Sequence, residues 1–301
     1  MASLTDDQRN HYIDLYLDSV EHLHQQDRSL FAGSVMLETG LIGELVRVKK
    51  QYGATSTNKN RRGRGLDTPQ NDTPRKSRWV QPNMFDWGDL IEDDDEIRKM
   101  GDSSGPLVEA VRKAFGRDMD DEIIGAFFAS AITGDKEART NVVFPTATQQ
   151  VAADVGATAD TGMNVEKLLA IDEIFGNADI DLDMEEKFIA ISPKMRTQLL
   201  NDQRFTSAEF SKTARLEEGV LTGFLGFKFI QTTRSQTSGA NTLTPAWIKS
   251  SMALGEWSGK AKDKASESPG KRFRLQLYHE REFGATRTQE TGVVQVLNVT
   301  A

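Results

Sequence analysis

Apolar residues recur at spacings of mostly three or four over residues 107–128, which is the pattern of one face of an α-helix. Ser104 is a good capping residue and Pro106 suits a first helical turn, so both mark the start of this helix. The apolar pattern stops at Gly134. The sequence therefore predicts a long helix over residues 104–133.

A helix of this length forms a rod of about 45 Å at a rise of about 1.5 Å per residue. It is longer than most helices of compact domains. Gly116 and Asp118 could instead divide it into two shorter helices. In either form its broad apolar face has to be covered by a sheet or by other helices, which the rest of the chain must supply.

A long β-hairpin is predicted ahead of this helix, over residues 45–82. Its flanks, Leu45–Lys49 and Arg78–Val80, have strand-like composition, whereas the chain between them consists of turn formers and charged residues with almost no apolar content. An uncovered loop of that length is uncommon inside a compact domain, so a projecting hairpin is the better interpretation. Two strands alone are marginally stable in water, and the hairpin therefore needs a neighbour.

The hairpin carries a cluster of positive charge, formed by Arg61, Arg62, Arg64, Arg75, Lys76 and Arg78. Such a cluster can contact the phosphates of a nucleic acid. It can also pair with acidic surface on another copy of the chain, and an acidic run is available at Glu92, Asp93, Asp94, Asp95 and Glu96. Self-association is favoured because the cations are not interleaved with the aromatic residues that would stack on bases.

The sequence beyond the long helix predicts a mixed region of helices and strands that ends in β-structure. In chain order the expected elements are a helix over 165–175, a strand over 187–192, a helix over 193–202, a strand over 227–231, a strand over 247–254, a charged linker over 260–271 and two strands over 273–283 and 293–299. Ser192 and Pro193 mark the start of the second of these helices.

Composition and charge narrow the class of protein. The chain has 301 residues, 38% of them apolar, which is enough for a sizeable core in one large domain or two ordinary ones. It has no cysteine, which excludes disulfides, thiol catalysis and cysteine-based zinc sites. We expect a protein made in the cytosol, because charges interrupt the N-terminal region and no apolar stretch reaches about 18 residues. A formal net charge of -8 argues against a surface that binds nucleic acid as a whole.

Two motifs resemble sites of known chemistry without meeting their requirements. Gly101–Gly105 formally matches the G-x-S-x-G loop of serine hydrolases with Ser103 as nucleophile, but that loop follows an apolar strand, and here acidic and polar residues precede it. Asp179–Asp183 alternates acids as a calcium loop does, but Met184 stands where that loop requires glycine. We therefore expect no catalytic residue, no metal ion and no cofactor.

The order of elements resembles the coat-protein fold of tailed bacteriophages that is named for phage Hong Kong 97. The segments that carry the resemblance are GPLVEAVRKAFGRDMDDEIIGAFFASAITG for the spine helix of that family, KFIAISPKMRTQLLNDQRF with GVLTGFLGFKFIQTT for its axial domain, and REFGATRTQETGVVQVLNV for its returning strands. The likeness covers nearly the whole chain. It implies an α+β fold with an N-terminal arm, an extended β-hairpin loop, a long spine helix, a peripheral domain and an axial domain.

The resemblance also implies a division of the chain and a function. The implied division is an N-terminal arm over 1–44, an extended loop over 45–82, a peripheral domain over 83–150 with the spine helix at 104–133, an axial domain over 151–270, and C-terminal strands over 271–301 that return to the peripheral domain. The function would be that of a major capsid protein. Its copies would assemble in the host cytoplasm into the hexamers and pentamers of an icosahedral shell around double-stranded DNA.

The same resemblance implies partners. Scaffolding, portal and decoration proteins are candidates, as is packaged DNA bound without sequence specificity, and no membrane is expected. The basic tip of the extended loop would grip a neighbouring subunit. Two other functions stay open from the residues alone: a nucleic-acid-binding module that uses the basic loop 61–78, and a serine hydrolase with its nucleophile at Ser103.

Overall fold

The computed structural model describes residues 25–53, 70–91, 104–178, 184–202, 220–257 and 261–299, together with 55, 57, 68, 180–182 and 215–217. Its helices are α1 (Ser104–Phe128), α2 (Val165–Asn177) and α3 (Pro193–Asn201). Its strands are β1 (Met36–Thr39), β2 (Val46–Tyr52), β3 (Arg75–Val80), β4 (Asn83–Ile91), β5 (Ala131–Asp135), β6 (Ala138–Val142), β7 (Gln150–Val151), β8 (Lys187–Ile191), β9 (Arg215–Glu217), β10 (Val220–Gly223), β11 (Phe227–Gln231), β12 (Gln236–Ser238), β13 (Asn241–Ile248), β14 (Met252–Glu256), β15 (Lys262–Ser268), β16 (Arg274–Arg287) and β17 (Val293–Val299).

A six-stranded sheet separates two hydrophobic cores. Its strand order is β11-β8-β13-β17-β7, with β12 added to β13. Strand β8 is buried along its whole length, and successive side chains point to opposite faces. Ile189 and Ile191 pack into one core, whereas Phe188 and Ala190 pack into the other. The apolar run in this strand is continuous because both of its faces are covered.

Each face of this sheet is covered by different helices. Helices α2 and α3 cover the first face, with Leu168 and Phe175 from α2 and Leu199 from α3 fully buried against it. Helix α1 covers the second face through Ile123 and Phe127, which are also fully buried. The same central sheet therefore joins the long helix to the two shorter ones.

Helix α1 is one unbroken helix, but it is shorter than predicted. It passes through Gly116 and Asp118 without interruption and ends at Phe128, after 25 residues or about 37 Å. The prediction that it continues to residue 133 is wrong, because Ala131–Asp135 forms strand β5. Ile132 and Thr133, both suited to strands, pair there with β3.

Two further predictions for the C-terminal half are wrong. Residues 247–254 do not form one strand, since a 3₁₀ turn at Lys249–Ser251 separates β13 in the six-stranded sheet from β14 in another sheet. The expected linker over 260–271 contains strand β15, whose residues are nearly all exposed and which pairs with β16. Pairing with a long neighbour produces this strand, because its own sequence has no alternating pattern.

Strand β16 organises a five-stranded sheet. It pairs with β4 over residues 275–283, with β15 over 274–280 and with β14 over 283–287, all antiparallel, and β1 completes the sheet beside β14. The two final strands lie in different sheets, because β17 pairs with β13 and β7. Where the domains begin and end along the chain stays a prediction.

A buried carboxylate in the middle of α1 binds the segment that precedes β1. Asp120 is fully buried, and its oxygens accept hydrogen bonds from Ser29 Oγ at 2.5 Å and from the backbone N–H groups of Leu30 at 3.0 Å and Phe31 at 3.2 Å. Gly116, one turn earlier, lets this segment approach, since a Cβ atom there would lie 3.0 Å from the Ser29 nitrogen. The helix therefore uses one side for the sheet and another for the N-terminal segment.

A second buried charge connects α2 with the last strand. Lys167 is fully buried, and its Nζ donates to the carbonyl oxygens of Thr161 and Leu297, each at 2.9 Å, and to Asn298 Oδ1 at 3.1 Å. Burial lowers the pKa of Lys167 to about 8, against the opposing influence of Asp160 and Asp154.

Replacing Asp120 should detach the N-terminal segment from α1. We expect Asp120→Ala to lower the free energy of unfolding of the unassembled chain by about 2–4 kcal/mol, because several donors lose their acceptor together. Urea denaturation measures this loss, and limited proteolysis should show faster cleavage near Ser29. Asp121→Ala is the matched control, since Asp121 is exposed and pairs only at the surface with Arg234. Equal losses in the two variants would contradict the proposed anchor.

Lys167 should give the stability of the chain a distinct pH dependence. The folded-state pKa of about 8 lies below the ordinary value of 10.5, so the unfolded chain binds more protons between these two values. The free energy of unfolding should therefore rise with pH across this window, by up to about 3 kcal/mol, and Lys167→Met should remove that rise. Denaturant titrations of both proteins from pH 7 to 11 test this, with the exposed Lys264→Met as control. Parallel curves for all three would disprove it.

Candidate assembly interface

The predicted hairpin is formed by β2 and β3, and the neighbour that it needs comes from the same chain. The strands pair antiparallel from Val46 opposite Val80 to Tyr52 opposite Arg75. Each strand is longer than the strand-like segment that the sequence indicates. Strand β3 also pairs with β5, which pairs with β6, so the hairpin is rooted in a four-stranded sheet. This sheet supplies the support that two isolated strands would lack.

Two side chains fasten β3 to β5. The indole N–H of Trp79 donates to the Gly134 carbonyl at 2.7 Å, and the Thr133 hydroxyl donates to the Ser77 carbonyl at 3.1 Å. Trp79 is 7% exposed, and the Arg139 guanidinium lies 4.6 Å from its ring centroid. A cation over an aromatic face adds electrostatic attraction to this packing.

The described part of the hairpin is strongly cationic. Strands β2 and β3 carry six Lys and Arg residues and no acidic residue. Of the cations predicted for the interface, Arg75 and Lys76 are exposed, and the Arg75 guanidinium lies 5.7 Å from the Tyr52 ring centroid. The predicted cations Arg61, Arg62 and Arg64 lie outside the described residues, as do Ser103 and the acidic run Glu92, Asp93, Asp94, Asp95 and Glu96.

Arg78 differs from the other predicted cations, because it lies in the interior of its own chain. Its side chain is 3% exposed, and Nη2 donates to Glu290 Oε2 at 2.6 Å. Glu290 belongs to the turn between β16 and β17. The ion pair therefore connects the root of the hairpin to the C-terminal strands, which is a structural role within one subunit.

A second buried arginine approaches the same carboxylate. Arg287 is fully buried and its Nε lies 4.0 Å from Glu290 Oε1. Its guanidinium donates to the carbonyl oxygens of Phe127 at 2.7 Å and Ala129 at 3.0 Å, where the last turn of α1 leaves carbonyls without helical partners. Burial lowers the pKa of Arg287, Glu290 opposes that shift, and Arg78 adds to it.

We call the three charged residues Arg78, Glu290 and Arg287 the root cluster. This cluster brings three distant parts of the chain together: the hairpin, the end of α1 and the turn after β16. Sequence reasoning missed Glu290 and Arg287, because no spacing pattern relates them to β3 or α1. Arg287 places a positive charge at the negative end of the α1 dipole, which is favourable. This arginine lies in β16, far from α1 in the sequence, so the spacing of residues near α1 does not predict the contact. Only the fold reveals this arrangement.

Other site types receive no support from the described part of the chain. No group of three or more His, Cys, Asp or Glu side chains there could hold a metal ion. None of its helices is both long enough and apolar enough to cross a membrane.

Phage capsids are among the solved structures that are similar to this chain. The capsid of the cyanophage P-SCSP1u has a TM-score of 0.68 with 13% identity, covering 96% of this chain and 94% of that chain. The cyanophage Pam1 capsid has a TM-score of 0.64 with 12% identity, covering 99% and 98%. The head of Helicobacter pylori bacteriophage KHP40 has a TM-score of 0.66 with 10% identity, covering 100% and 98%. The fold is thus the α+β fold of Hong Kong 97-like coat proteins of tailed phages.

The family follows from the sequence. A model of the family described as phage capsid protein matches residues 9–300, and the chain belongs to this family. No curated protein matches it by sequence comparison. The chain is accordingly a structural protein of the virion, a major coat protein that associates with itself to form the shell.

Removing the shared carboxylate should destabilise the root of the hairpin. Glu290→Gln leaves Arg78 and Arg287 buried without a carboxylate, so we expect the free energy of unfolding to fall by about 3–5 kcal/mol. The adjacent, exposed Gln289→Ala should change it by less than about 0.5 kcal/mol. Urea denaturation of the unassembled chains measures both. A Glu290 variant as stable as the Gln289 variant would show that this ion cluster does not hold the hairpin.

Proposed function

We propose that the hairpin reaches over a neighbouring subunit and that its exposed cations pair with the acidic run 92–96 of that subunit. The observation that supports this most is the rooted hairpin, whose strands β2 and β3 carry no acidic residue, with Arg75 and Lys76 exposed on a chain whose net charge is -8. Complementary charge suits a contact that must form quickly and select one register. Arg61, Arg62 and Arg64 would extend the same positive surface towards the tip.

Such contacts, repeated by symmetry, would organise hexamers and pentamers of an icosahedral shell around double-stranded DNA. A closed assembly uses the same surfaces in every copy, so each contact can be modest while the whole shell is stable. Scaffolding, portal and decoration proteins are further partners in this proposal, and assembly would take place in the host cytoplasm. DNA inside the shell would be packed without sequence-specific contacts.

The rigid root supports this role of the hairpin. Trp79, the β3–β5 pairing and the Arg78–Glu290 ion pair hold the base of the hairpin before any neighbour is present. A preorganised arm loses less conformational entropy when it docks, so more of the contact energy contributes to association.

Removing charge from the hairpin tip should prevent assembly without unfolding the chain. We expect the triple variant Arg61→Ala, Arg62→Ala, Arg64→Ala to reduce the yield of shells at least about tenfold, because one weakened contact recurs throughout the assembly. Gradient sedimentation and negative-stain electron microscopy measure the yield. The matched control removes three cations from another exposed hairpin, through Lys264→Ala, Lys271→Ala and Arg272→Ala.

A charge-reversal pair sharpens this test. The variant Arg61→Glu, Arg62→Glu, Arg64→Glu should not assemble. Adding Asp93→Lys, Asp94→Lys, Asp95→Lys to the same chain should restore assembly at least in part. Normal shells from the triple alanine variant would refute the proposed contact. Salt-sensitive DNA affinity that disappears in that variant, with shell yield unchanged, would instead favour the nucleic-acid-binding alternative.

A further inference from the structure

A cleft of about 390 Å³ lies at the root of the hairpin, beside the root cluster. The ends of β2 and β3 form one wall, through Tyr52, Lys76 and Arg78, and the turn at 288–291 forms the other. The neck of the hairpin is closed at this point by a hydrogen bond from the Gly53 N–H to the Pro74 carbonyl at 2.7 Å. This hydrogen bond holds the two strands of the hairpin together beside the cleft.

The charges around this cleft do not balance. Lys76 and Arg78 line it, and Glu290 is the one carboxylate among its described lining residues. Arg287 does not line the cleft, but its Nε lies 4.0 Å from Glu290 Oε1. Arg78 and Arg287 are 3% and 0% exposed, so water screens their charges poorly. A buried charge without a full counter-charge is costly, and this site has room for another anion.

The hydrogen bonds of the cluster are also incomplete. Arg78 uses Nη2 for Glu290, whereas its Nε and Nη1 have no partner within the described structure. Arg287 Nε and Glu290 Oε1 lie 4.0 Å apart, and neither makes a hydrogen bond within the described structure. Buried guanidinium N–H groups that lack acceptors favour a carboxylate, because its oxygens accept charge-assisted hydrogen bonds in a matching planar geometry.

We propose that this cleft is a carboxylate-binding site, filled in the shell by an Asp or Glu side chain from the acidic run 92–96 of a second copy of the chain. This inference rests on the proposed function, which brings that run to the hairpin, and it assigns the root of the hairpin as a separate binding point. The run is the longest uninterrupted series of acids in the sequence. One carboxylate entering beside Lys76 supplies the negative charge that Arg78 and Arg287 lack.

The unassembled chain and a synthetic peptide test this site directly. The peptide DLIEDDDEI, residues 89–97, is titrated into the chain in a calorimeter at fixed ionic strength. We expect saturable one-to-one binding that Lys76→Glu weakens at least about tenfold, equivalent to the loss of one close charge contact. Lys50→Glu is the matched control: Lys50 is exposed on the same hairpin and does not line the cleft, so this variant should keep binding near that of the parent.

Three results would overturn the proposal. One is peptide binding that the Lys50 and Lys76 variants weaken equally, which indicates general attraction to the hairpin. Another is the absence of saturable binding. A third is tighter binding of inorganic phosphate than of the peptide, which makes a free anion the occupant. A peptide with amides in place of its six acidic side chains, Asp89 included, should not bind, because it lacks the side-chain carboxylates.

The triple alanine variant of the hairpin tip separates this inference from the proposed function. Its chain keeps Lys76, Arg78 and Glu290, so it should bind the peptide at the cleft even though it forms few shells. Failure of the tip variant to affect assembly would refute the proposed tip contact and leave the cleft to be judged by the titration. Loss of peptide binding in the tip variant, with Lys76→Glu without effect, would refute the cleft.

Discussion

The packing of Trp247 is the contact on which the arrangement of the whole chain depends. Its ring centroid lies 4.6 Å from that of Phe127 in α1, 5.6 Å from that of Phe31 before β1, and 5.8 Å from that of Phe188 in β8. Its indole N–H donates to the Ser34 carbonyl at 2.9 Å. Aromatic side chains contribute large buried areas, and here one residue places the N-terminal segment, the long helix and the central sheet together. The direction of α1 across the sheet follows from this cluster.

Charged side chains then fix the position of α1 along its own axis relative to the sheet. Apolar packing alone fixes this position less strictly, because it is not directional. Asp120, within α1, accepts hydrogen bonds from the backbone N–H groups of the N-terminal segment. Arg287 donates hydrogen bonds to the carbonyl oxygens at the end of α1. Both groups are fully buried, so a shift of the helix by one turn would leave either charge without partners. Arg287 also approaches Glu290, which binds Arg78, so the register of α1 is coupled to the root of the hairpin.

Local patterns in the sequence predicted those elements whose cause is local. The sequence predicted the periodicity of α1, the start of α3 at Ser192 and Pro193, and the apolar run of β8, because residue spacing and capping residues determine these features. The sequence did not predict strand β15, because this strand forms by pairing with β16 and its own residues do not alternate between polar and apolar. The sequence did not predict the root cluster either, because its contacts also depend on the fold. Arg78 and Glu290 lie 212 positions apart, and no sequence pattern relates them.

The exposed cations of the hairpin, by contrast, were predicted because charge clustering is a property of composition. What composition does not distinguish is a surface cation from a buried one, and Arg78 shows the consequence. It lies two residues from Lys76 on the same strand, so both face the same side of the sheet, yet one is exposed and the other is covered by the turn after β16. The covered arginine stabilises the arm, and the exposed lysine stays available to a neighbour. The proposed contact with a neighbouring subunit would use both properties of this strand. If the hairpin were not held at its root, ordering it on the neighbour would cost conformational entropy and offset the energy of the contacts at its tip.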